Sequence, residues 1–494
     1  MNARFLLKDL APSESIPCGE IHRITEDSRK ADCNAAFVCI RGAIADGHRY
    51  AASAYQNGCR FFVAEKDLSL PSDAFVLTVK DTRAALAALA CKFYGNPSAS
   101  MKVIGITGTK GKTTTAEMLT HILNKNAIPT GYIGTNGIAY GHVLKATANT
   151  TPDAVTLQEA LADMKACGME AAVIEVSSQA LMQNRADGTI FDTVIFTNLF
   201  RDHIGAHEHP DFESYKACKK RLFVEFCAER MILNADDPAS AELLQTSVAK
   251  QKITCSFEDD TCTYYGKVFS QQMQNGVPGV FFSLFKGAEG ADCRLPMIGA
   301  TNAYNALIAA ACAKESFGIS LADSANALVD ISVAGRSECI PLPNGACVVI
   351  DYAHNGESLR ALLQSLRAYK PKRLLCLFGS VGDRTQERRA EMGAVAASLC
   401  DLCFLTSDNP GYEDPKKIIE EIASSFDAVN APYRMIADRE HAIVEALQEV
   451  KTGDVLVLAG KGHETYQLIQ NKKIPFSEKE IVEKTVKNNL ILFS

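Results

Sequence analysis

The sequence of 494 residues lacks any apolar run long enough to cross a membrane. Its opening stretch, MNARFLLKDLAPSES, lacks the sustained apolar segment that secretory signals need. Basic residues are too few for a general nucleic-acid footprint, because the formal net charge is −7. These absences favour a cytoplasmic protein that acts neither on a membrane nor on nucleic acid.

The sequence also lacks internal repeats and low-complexity segments, and its length suggests two to four domains. Cysteine, in contrast, is abundant, with 17 scattered residues. In a chain without a secretory signal, an odd and scattered set predicts reduced, mostly buried thiols. Cys400 and Cys403 have C-x-x-C spacing, but no second pair accompanies them, so a metal or redox role is not favoured.

Strand-like apolar runs alternate with helical segments along most of the chain, which predicts an α/β fold. Turn-forming residues at 95–100 and 334–345 suggest the domain breaks. We therefore expect three domains: an N-terminal α/β domain (1–97), a central doubly wound parallel-sheet domain (98–335) and a C-terminal Rossmann-like domain (336–494).

The strongest motif is GITGTKGKTTTAEML (105–119), a Gly-rich turn between a predicted strand and an amphipathic helix. Its glycines let backbone amides close on phosphate oxygens, while Lys112 adds positive charge and Thr113 offers a hydroxyl to Mg²⁺. Ile106 stands where the commonest form of this loop has glycine, so the spacing is G-x-x-G-x-x-G-K-T. The motif predicts an ATP site.

Polar residues follow the next two predicted strands. Glu175 lies at the C-terminal end of the predicted strand AAVIEV (171–176), where a carboxylate can hold nucleotide-bound Mg²⁺. The later segment FTNLFRDHIGAHEHP contains several histidines, but their spacing is poor for structural zinc. His203 lies nearest the strand end and is the candidate for the active site, whereas His207 and His209 are expected on a surface loop.

A lysine falls on the apolar face of the predicted helix DFESYKACKKRLF (211–223). Phe212, Tyr215, Lys219 and Leu222 share that face by their spacing. One interpretation is a lysine that extends its amine to the surface, and the other is a lysine that faces a catalytic cleft.

Four polar motifs each follow a predicted strand of the third domain, and in a parallel sheet such loops converge on one rim. Together they predict a binding site. The motifs are DYAH (351–354), GDRTQERR (382–389), SDNPG (407–411) and GKGHE (460–464).

The order of these motifs resembles that of the Mur ligases, and among them the UDP-N-acetylmuramoyl-tripeptide synthetases (MurE type). The resemblance covers nearly the whole chain. Further segments in register are DSRKADCNAAFVCIRGAIADGHRY (27–50), ANTTPDA (148–154), EVSSQAL (175–181), NADDP (234–238), GATNAYNAL (299–307) and GRSE (335–338).

The resemblance implies an ATP- and Mg²⁺-dependent ligase of cytoplasmic peptidoglycan precursor synthesis, and thus of cell-wall biogenesis, cell shape and division. ATP would phosphorylate the terminal carboxylate of UDP-MurNAc-L-Ala-D-Glu, and the amine of an amino acid would attack the acyl phosphate. Phosphorylation supplies the leaving group that a carboxylate lacks, and cations offset the repulsion between two anionic reactants. A monomer is expected.

The resemblance also implies roles for residues at matching positions. Lys112, Glu175, His203 and Lys219 would be catalytic, and Lys219 would be carbamylated, which turns a cation into a carboxylate. The metal residues would be Thr113, Glu175, His203 and Lys219. The ATP-binding residues would be Gly108, Thr109, Lys110, Gly111, Lys112, Thr113, Thr114, Asn305, Arg336 and Asp351, with His354 beside them.

Two further sets belong to the other substrates. The residues implied for the UDP-substrate are Ser28, Asn149, Thr150, Thr151, Ser177, Gln183 and Arg185. Those implied for the incoming amino acid are Arg384, Asp408, Asn409, Pro410, Gly411, Gly460 and Glu464.

The SDNPG loop is where the resemblance places selection of the amino acid. Members that add meso-diaminopimelate typically read DNPR, and the arginine grips the second carboxylate. Gly411 offers no guanidinium, and a bidentate Arg–carboxylate pair is a large part of such recognition. The sequence therefore predicts L-lysine rather than meso-diaminopimelate, with ornithine or another amino acid as alternatives.

Three departures from the family pattern bear on this interpretation. Lys110 stands where Asn is usual, Gln179 replaces the usual His, and FGSVGDR (378–384) lacks part of a Gly-rich turn. Lys110 adds charge near phosphate and is expected to be harmless. Gln179 lies on the substrate side and leaves an altered acceptor open.

Three alternatives compete with this interpretation. A folylpolyglutamate synthetase would share the ATP loop but lack the DGH-containing N-terminal domain and the ANTTPDA run (148–154). A specialised paralogue could join an amino acid to another acceptor, for which Gln179 is the only support. A non-catalytic nucleotide-binding protein should have lost Lys112, Glu175, His203 or Lys219, and all four are present.

Overall fold

The computed structural model describes residues 1–42, 45–202, 204–205, 208–274, 276–382, 386–470 and 472–488. The chain divides into two compact units. The first comprises Met1–Tyr264 and Ile308–Ser320, and the second comprises Tyr265–Leu307 and Leu321–Ser494. Among the described helices, none is both long and apolar enough to span a membrane.

A small parallel sheet forms the N-terminal part of the first unit. Its strands follow one another in the order β1-β2-β3-β4, and the middle two are buried on both faces. The elements are α1 (Ala3–Leu7), β1 (Arg23–Thr25), β2 (Ala35–Val38), α2 (Ala51–Gln56), β3 (Phe61–Ala64), β4 (Phe75–Thr78) and α3 (Thr82–Phe93).

A larger sheet follows in the same unit. Its elements are β5 (Lys102–Thr107), α4 (Lys112–Lys125), β6 (Thr130–Gly134), β7 (Gly137–Tyr140), β8 (Val143–Lys145), α5 (Ala154–Ala166), β9 (Ala171–Glu175), α6 (Ser178–Met182), β10 (Phe191–Phe196), α7 (Phe212–Arg221), β11 (Cys227–Asn234), α8 (Ser240–Thr246) and β12 (Gln251–Ser256). The strand order is β12-β11-β10-β5-β9-β6-β7-β8.

Strand β5 lies between β10 and β9, and all three run parallel. Their residues are almost entirely buried, as expected of strands covered by helices on both faces. The carboxyl ends of these three strands therefore lie side by side, and the loops that follow them meet at one edge of the sheet.

The second unit and its borders contain the remaining elements. They are β13 (Tyr264–Gln274), β14 (Val277–Lys286), β15 (Glu289–Leu295), α9 (Ala300–Phe317), α10 (Leu321–Ala327), β16 (Glu338–Pro341), β17 (Cys347–Asp351), α11 (Gly356–Arg367), β18 (Leu374–Phe378), α12 (Gln386–Leu399), β19 (Leu402–Leu405), α13 (Pro415–Asp427), β20 (Tyr433–Met435), α14 (Arg439–Glu449), β21 (Val455–Ala459), β22 (Tyr466–Ile469), β23 (Lys472–Pro475) and α15 (Glu478–Asn488).

The main sheet of the second unit has the order β16-β17-β21-β18-β19-β20, with only its edge strand β16 antiparallel among these described strands. Helices α11, α12 and α13 cover one face, where their leucine and isoleucine side chains form the core with the inward residues of the strands. Helices α14 and α15 cover the other face.

The α/β class with parallel sheets is confirmed. Cysteines whose side chains are described are free thiols, and most are buried, as the sequence predicts. The three domain ranges stay a prediction, because the division into two compact units does not test them.

Candidate active site

The loop between β5 and α4 carries the Gly-rich motif. Gly108 lies so close to the residue that follows β10 that a side chain there would overlap the Thr197 hydroxyl. Asn198 fixes the loop, because its side-chain oxygen accepts a hydrogen bond of 2.8 Å from the Lys110 amide. Gly111, with φ of +83°, precedes the first residue of α4, and its missing side chain lets a ligand oxygen approach the helix N-terminus.

Two lysine amines meet at this loop. Lys112 Nζ and Lys219 Nζ each donate to the Gly108 carbonyl at 2.8 Å. Lys219 is only 3% exposed, and its amine lies 4.7 Å from the centre of the Tyr215 ring. Burial, followed by the charge of Lys112, lowers the pKa of Lys219 well below its ordinary value. The lysine predicted on the apolar helix face therefore reaches the nucleotide loop, not the surface.

A buried carboxylate stands beside the start of α4. Glu175 is fully buried and accepts hydrogen bonds from the Thr113 hydroxyl at 2.9 Å, the Tyr132 hydroxyl at 2.5 Å and the Thr135 amide at 2.9 Å. Burial, followed by the charge of Glu175, raises the pKa of Tyr132 well above its usual value. Carboxylate and hydroxyl oxygens are the donors that Mg²⁺ prefers, so Thr113 and Glu175 fit that ion.

The histidines after β10 differ from expectation. His203 and His207 lie outside the described residues. The expectation of a surface position for His209 is wrong, because its side chain is fully buried. Its Nε2 lies 2.9 Å from the Ser178 hydroxyl, and its ring packs edge-on against Tyr215 at 5.2 Å. His209 thus links α6 and α7 and supports the helix that carries Lys219.

A cavity of about 550 Å³ opens between the N-terminal sheet and the larger sheet of the first unit. Three residues predicted for the UDP-substrate line it, namely Asn149, Gln183 and Arg185. Sequence analysis missed two charged residues in its wall, Glu26 and Arg83. Burial, followed by the charge of Asp153, raises the pKa of Glu26.

A second cavity of about 290 Å³ shares Asn149 and Arg185 with the first. Its wall also contains Lys112 and Lys219, so it joins the nucleotide loop to the larger cavity. Gln179 lines it as well, which places this departure from the family pattern beside the two lysines. The remaining lining residues include Thr150, Ser177, Ser178 and Glu208.

Two other residues predicted for the UDP-substrate have structural partners. Thr151 is fully buried, and its hydroxyl donates to the Glu175 carbonyl at 2.7 Å while accepting from the Ser177 amide at 3.0 Å. Ser28 begins a short 3-10 turn whose first carbonyl accepts from the Asn57 side chain at 2.9 Å.

In the second unit, the loops after four strands converge as predicted. The Gly460 amide donates to the Asp351 carbonyl at 3.1 Å, which joins the ends of β21 and β17. The Gly382 amide donates to the Asn409 carbonyl at 2.9 Å, which joins the loops after β18 and β19. A side chain at Gly460 would press on the Asp408 carboxylate, because its Cβ would lie 2.6 Å from Oδ2.

A buried lysine that sequence analysis did not single out organises the loop rim. Lys461 is fully buried and donates to the Asn409 side-chain oxygen at 2.9 Å and to Glu464 at 2.6 Å. Its amine also lies 4.0 Å from Asp408. Asn409 donates in turn to Glu464 at 3.1 Å. Asp408, Asn409 and Glu464 therefore form one polar cluster around a fixed cation.

Next to this cluster lies an aromatic group of residues. Tyr352 is flanked by the rings of His354 and His463, at 4.7 and 5.0 Å, and by the Arg336 guanidinium at 5.1 Å. Burial, followed by the charges of Arg336 and Lys461, lowers the pKa of His463 to about 4. The imidazole is therefore neutral near neutral pH.

The remaining predicted residues have the following surroundings. Asp351 accepts from the Ser337 amide at 2.7 Å, and burial raises its pKa. Asn305 lies in α9, is 4% exposed and donates to the Asn302 side chain at 3.1 Å. Arg384 lies outside the described residues.

A doubly wound sheet with a Gly-rich loop, a buried carboxylate and two lysines at its carboxyl edge defines a nucleotide-dependent α/β enzyme. Comparison with known proteins gives the particular family. Residues 20–94 match the model described as Mur ligase family, catalytic domain; residues 106–313 match the Mur ligase middle domain; residues 335–462 match the Mur ligase, glutamate ligase domain.

Curated relatives match over nearly the whole chain. A protein of Caldanaerobacter subterraneus subsp. tengcongensis is 38% identical over 467 residues, which cover 94% of this chain and 95% of the relative. One of Clostridium botulinum is 38% identical over 475 residues, 95% of each chain. Both are named UDP-N-acetylmuramoyl-L-alanyl-D-glutamate--2,6-diaminopimelate ligase. The chain belongs to the Mur ligase family.

Solved structures agree with this assignment. A structure of a ligase with the same name has a TM-score of 0.71 and 26% identity, and the match covers 99% of this chain and 100% of that one. The MurF ligase of Thermotoga maritima in complex with ADP has a TM-score of 0.60 at 18% identity, covering 94% and 97%, which shows the shared fold.

The protein is therefore an ATP- and Mg²⁺-dependent amino-acid ligase of peptidoglycan synthesis. The comparisons do not support the predicted preference for lysine, because these relatives are named for 2,6-diaminopimelate.

Proposed function

We propose that the protein joins 2,6-diaminopimelate to UDP-N-acetylmuramoyl-L-alanyl-D-glutamate. The observation that carries this proposal is the cavity of about 290 Å³ that joins the nucleotide loop to the larger cavity. A substrate carboxylate in that cavity would meet Lys112 of the loop and Arg185 of the substrate side together. The choice of amino acid is supported by relatives that align along nearly the whole chain and are named for 2,6-diaminopimelate.

The reaction is an acyl activation followed by an amine attack. The carboxylate attacks the terminal phosphorus of ATP and displaces ADP. The amine of the amino acid then attacks the carbonyl carbon of the acyl phosphate, which forms the amide bond and releases inorganic phosphate and a proton. Lys112 lies where it would offset charge between the two anions, and residues 108–114 would bind the phosphates. Thr113 and Glu175 would hold Mg²⁺, which supplies further charge neutralisation when bound. His203 is proposed as a further metal residue.

Lys219 is proposed to act as a carbamate. Its depressed pKa favours the neutral amine, which is the form that can add carbon dioxide. Addition of carbon dioxide with loss of one proton gives a carbamate anion, which the positive charge of Lys112 would stabilise. The carbamate would then be a further carboxylate able to hold Mg²⁺, in addition to Thr113 and Glu175.

The larger cavity is proposed to hold the UDP-MurNAc-dipeptide. Arg83 and Arg185 bring positive charge to its wall, which suits a diphosphate. Asn149 and Gln183 supply amide groups on the same wall. Ser28, Thr150, Thr151 and Ser177 complete the set that the family resemblance suggests.

The loop rim of the second unit is proposed to bind the incoming amino acid. Asp408 and Glu464 contribute two carboxylates and Lys461 one cation, so the cluster suits an ammonium group. Asn409, Pro410, Gly411, Gly460 and Arg384 complete the proposed pocket. Arg336, Asp351 and Asn305 are proposed to contact the nucleotide.

A second candidate substrate is L-lysine, and the observation that favours it is Gly411. This residue has φ of +61° and lacks a guanidinium for a second carboxylate. The nearby Arg389 is 2% exposed and is already paired with Glu413 at 2.8 Å and Glu421 at 2.7 Å. Arg389 and Lys461 are thus both paired with groups of the protein itself. L-Lysine has no second carboxylate and therefore needs no cation from the protein at that position.

Phosphate release by the purified protein with ATP, Mg²⁺ and UDP-MurNAc-L-Ala-D-Glu tests both candidates. The assay compares meso-diaminopimelate, L-lysine, L-ornithine and a neutral amino acid. Turnover with diaminopimelate alone supports the first candidate, and turnover with lysine alone replaces it by the second. Absence of turnover with every amine would contradict both and direct attention to the acceptor and to Gln179.

The organisation of the molecule is proposed to follow its relatives. We assign residues 1–97 to the UDP-substrate, 98–335 to ATP and 336–494 to the amino acid and nucleotide. We also propose a monomer that works in the cytoplasm without a membrane or nucleic-acid partner.

A further inference from the structure

An arginine occupies an unfavourable position in the second unit. Arg439 is the first residue of α14, where the positive end of the helix dipole opposes a cation. It is also 1% exposed, so its charge is removed from water. Local sequence preference and burial both count against arginine here, and such exceptions occur where a residue serves a site.

Glu478 balances the charge of Arg439 from the first turn of α15. Its Oε1 atom accepts from Arg439 Nε at 2.9 Å and lies 2.8 Å from Nη2, and both side chains are fully buried. Burial raises the pKa of Glu478, which the charge and hydrogen bond of Arg439 oppose. A buried pair of this kind adds little to stability compared with apolar packing, so stability alone does not account for it.

The guanidinium of Arg439 also donates hydrogen bonds to two backbone carbonyls. Nη1 donates to the Ser407 carbonyl at 3.0 Å, and Nη2 donates to the Ala459 carbonyl at 2.8 Å. Ser407 directly precedes Asp408, and Ala459 directly precedes Gly460. The strands that lead to them, β19 and β21, are not neighbours, because β18 lies between them. Arg439 therefore bridges two strand ends that the sheet itself does not connect.

Only the planar guanidinium suits this task, because it directs several N–H groups in fixed directions. The two loops it joins carry the polar cluster of Asp408, Asn409 and Glu464. Gln467 contributes a weaker second tie, since its side-chain amide donates to the Asp408 carbonyl at 2.8 Å. The contacts of Arg439 and Gln467 with the loop backbones therefore fix the distance between the carboxylates of the two loops.

We propose that Arg439 is a positioning residue that sets the spacing of the two loops which bind the incoming amino acid, with Glu478 as its counter-charge. This inference rests on the proposed assignment of those loops. Loss of Arg439 should therefore weaken binding of the amino acid selectively. Neither carbonyl that Arg439 contacts belongs to the ATP loop or to the large cavity of the first unit.

The test uses the full-length double variant Arg439→Met/Glu478→Leu, which removes both charges together and leaves no unpaired ion. We expect the KM for the amino acid to rise by about tenfold, since small displacements of binding groups have effects of this order or larger. The KM values for ATP and the UDP-substrate should stay within about twofold of wild type. Arg439→Lys keeps the positive charge but lacks the planar guanidinium. Its KM for the amino acid should lie between those of wild type and the double variant.

Arg373→Met is the matched control. Arg373 also pairs with carboxylates, Asp454 at 2.6 Å and Glu449 at 3.0 Å, but it lies at the opposite ends of β18 and β21. Its loss should lower the melting temperature without a selective change in the KM of the amino acid. The same result for the double variant, or an equal rise in all three KM values, would overturn the proposal.

Hydrogen exchange separates this inference from the proposed function. The amides of residues 407–411 and 459–464 should exchange faster in the double variant than in wild type, with no substrate present. Unchanged exchange there refutes the bridge even if the enzyme is active. Faster exchange in a protein whose wild type turns over none of the tested amino acids would support the bridge and reject the substrate assignment.

Discussion

At the residue scale, the proposed chemistry depends on Lys219 and on its proposed conversion to a carbamate. Lys219→Ala removes the amine that lies beside Lys112 and the Gly108 carbonyl. Turnover should fall by about two orders of magnitude, as expected when a preorganised charge is lost. UDP-substrate binding, measured by calorimetry, should change little, because the larger cavity does not include this residue.

Lys220→Ala is the control for that prediction. Lys220 is the next residue of the helix, but its amine pairs with Glu242 at 2.8 Å instead of the nucleotide loop. Its variant should keep near-normal turnover. A Lys219→Ala protein as active as wild type would remove this residue from the mechanism.

Glu26 should make ligand binding in the cavity proposed for the UDP-substrate depend on pH. Its pKa is raised by burial, so it becomes neutral at a higher pH than an exposed glutamate does. Protonation removes a negative charge from the wall that would face a diphosphate. Binding of the UDP-substrate to wild type should therefore tighten as pH falls through this raised pKa, compared with Glu26→Gln, which should bind more tightly than wild type at pH 8.

Calorimetric titrations of both proteins between pH 8 and pH 5 measure this difference. The substrate's own phosphates titrate equally in both experiments, so only Glu26 separates the curves. Glu20→Gln, at an exposed residue paired with the N-terminal amine at 3.1 Å, should follow wild type. Parallel curves for wild type and Glu26→Gln would exclude a charge effect of Glu26.

At the scale of a single element, the loop after β19 is proposed to determine which amino acid is bound. Gly411→Arg should raise the ratio of kcat/KM for diaminopimelate to that for lysine by about tenfold, the order of one added pocket contact. It should also destabilise the protein by about 1–2 kcal/mol, the usual cost of a left-handed residue with a side chain.

Gly411→Asn is the control, because asparagine tolerates the left-handed conformation and brings no guanidinium. Competition assays with both amino acids measure the ratio, and urea unfolding measures the stability. The same ratio in wild type and Gly411→Arg would show that this loop position does not select the second carboxylate.

Elements with a clear period could be predicted from sequence, whereas their contacts could not. The spacing around Lys219 placed it on the buried face of α7, and the motif after β5 marked the nucleotide loop. Buried polar residues were missed where only tertiary contacts define them. Lys461 and Arg439 look like ordinary surface cations in their segments. The polar segment around His209 predicts a surface position, but its side chain packs against Tyr215 and is buried.

At the scale of the whole molecule, the two cavities proposed for substrate and the loops proposed for the amino acid belong to different compact units. The cavities of about 550 and 290 Å³ lie in the first unit together with the nucleotide loop. ATP and the UDP-substrate should therefore each stabilise the protein without the amino acid, and their effects should be separable by variants within that unit.

Lys112→Ala tests this separation through thermal unfolding. A ligand at a hundredfold excess over its Kd adds about 2.7 kcal/mol of stability, so each substrate should raise the wild-type Tm. The variant should lose most of the increase caused by ATP with Mg²⁺ but keep the increase caused by the UDP-substrate. Lys125→Ala, which changes an exposed lysine in the last turn of the same helix α4, should keep both. Loss of both increases in Lys112→Ala would mean that the two cavities bind their ligands as one site.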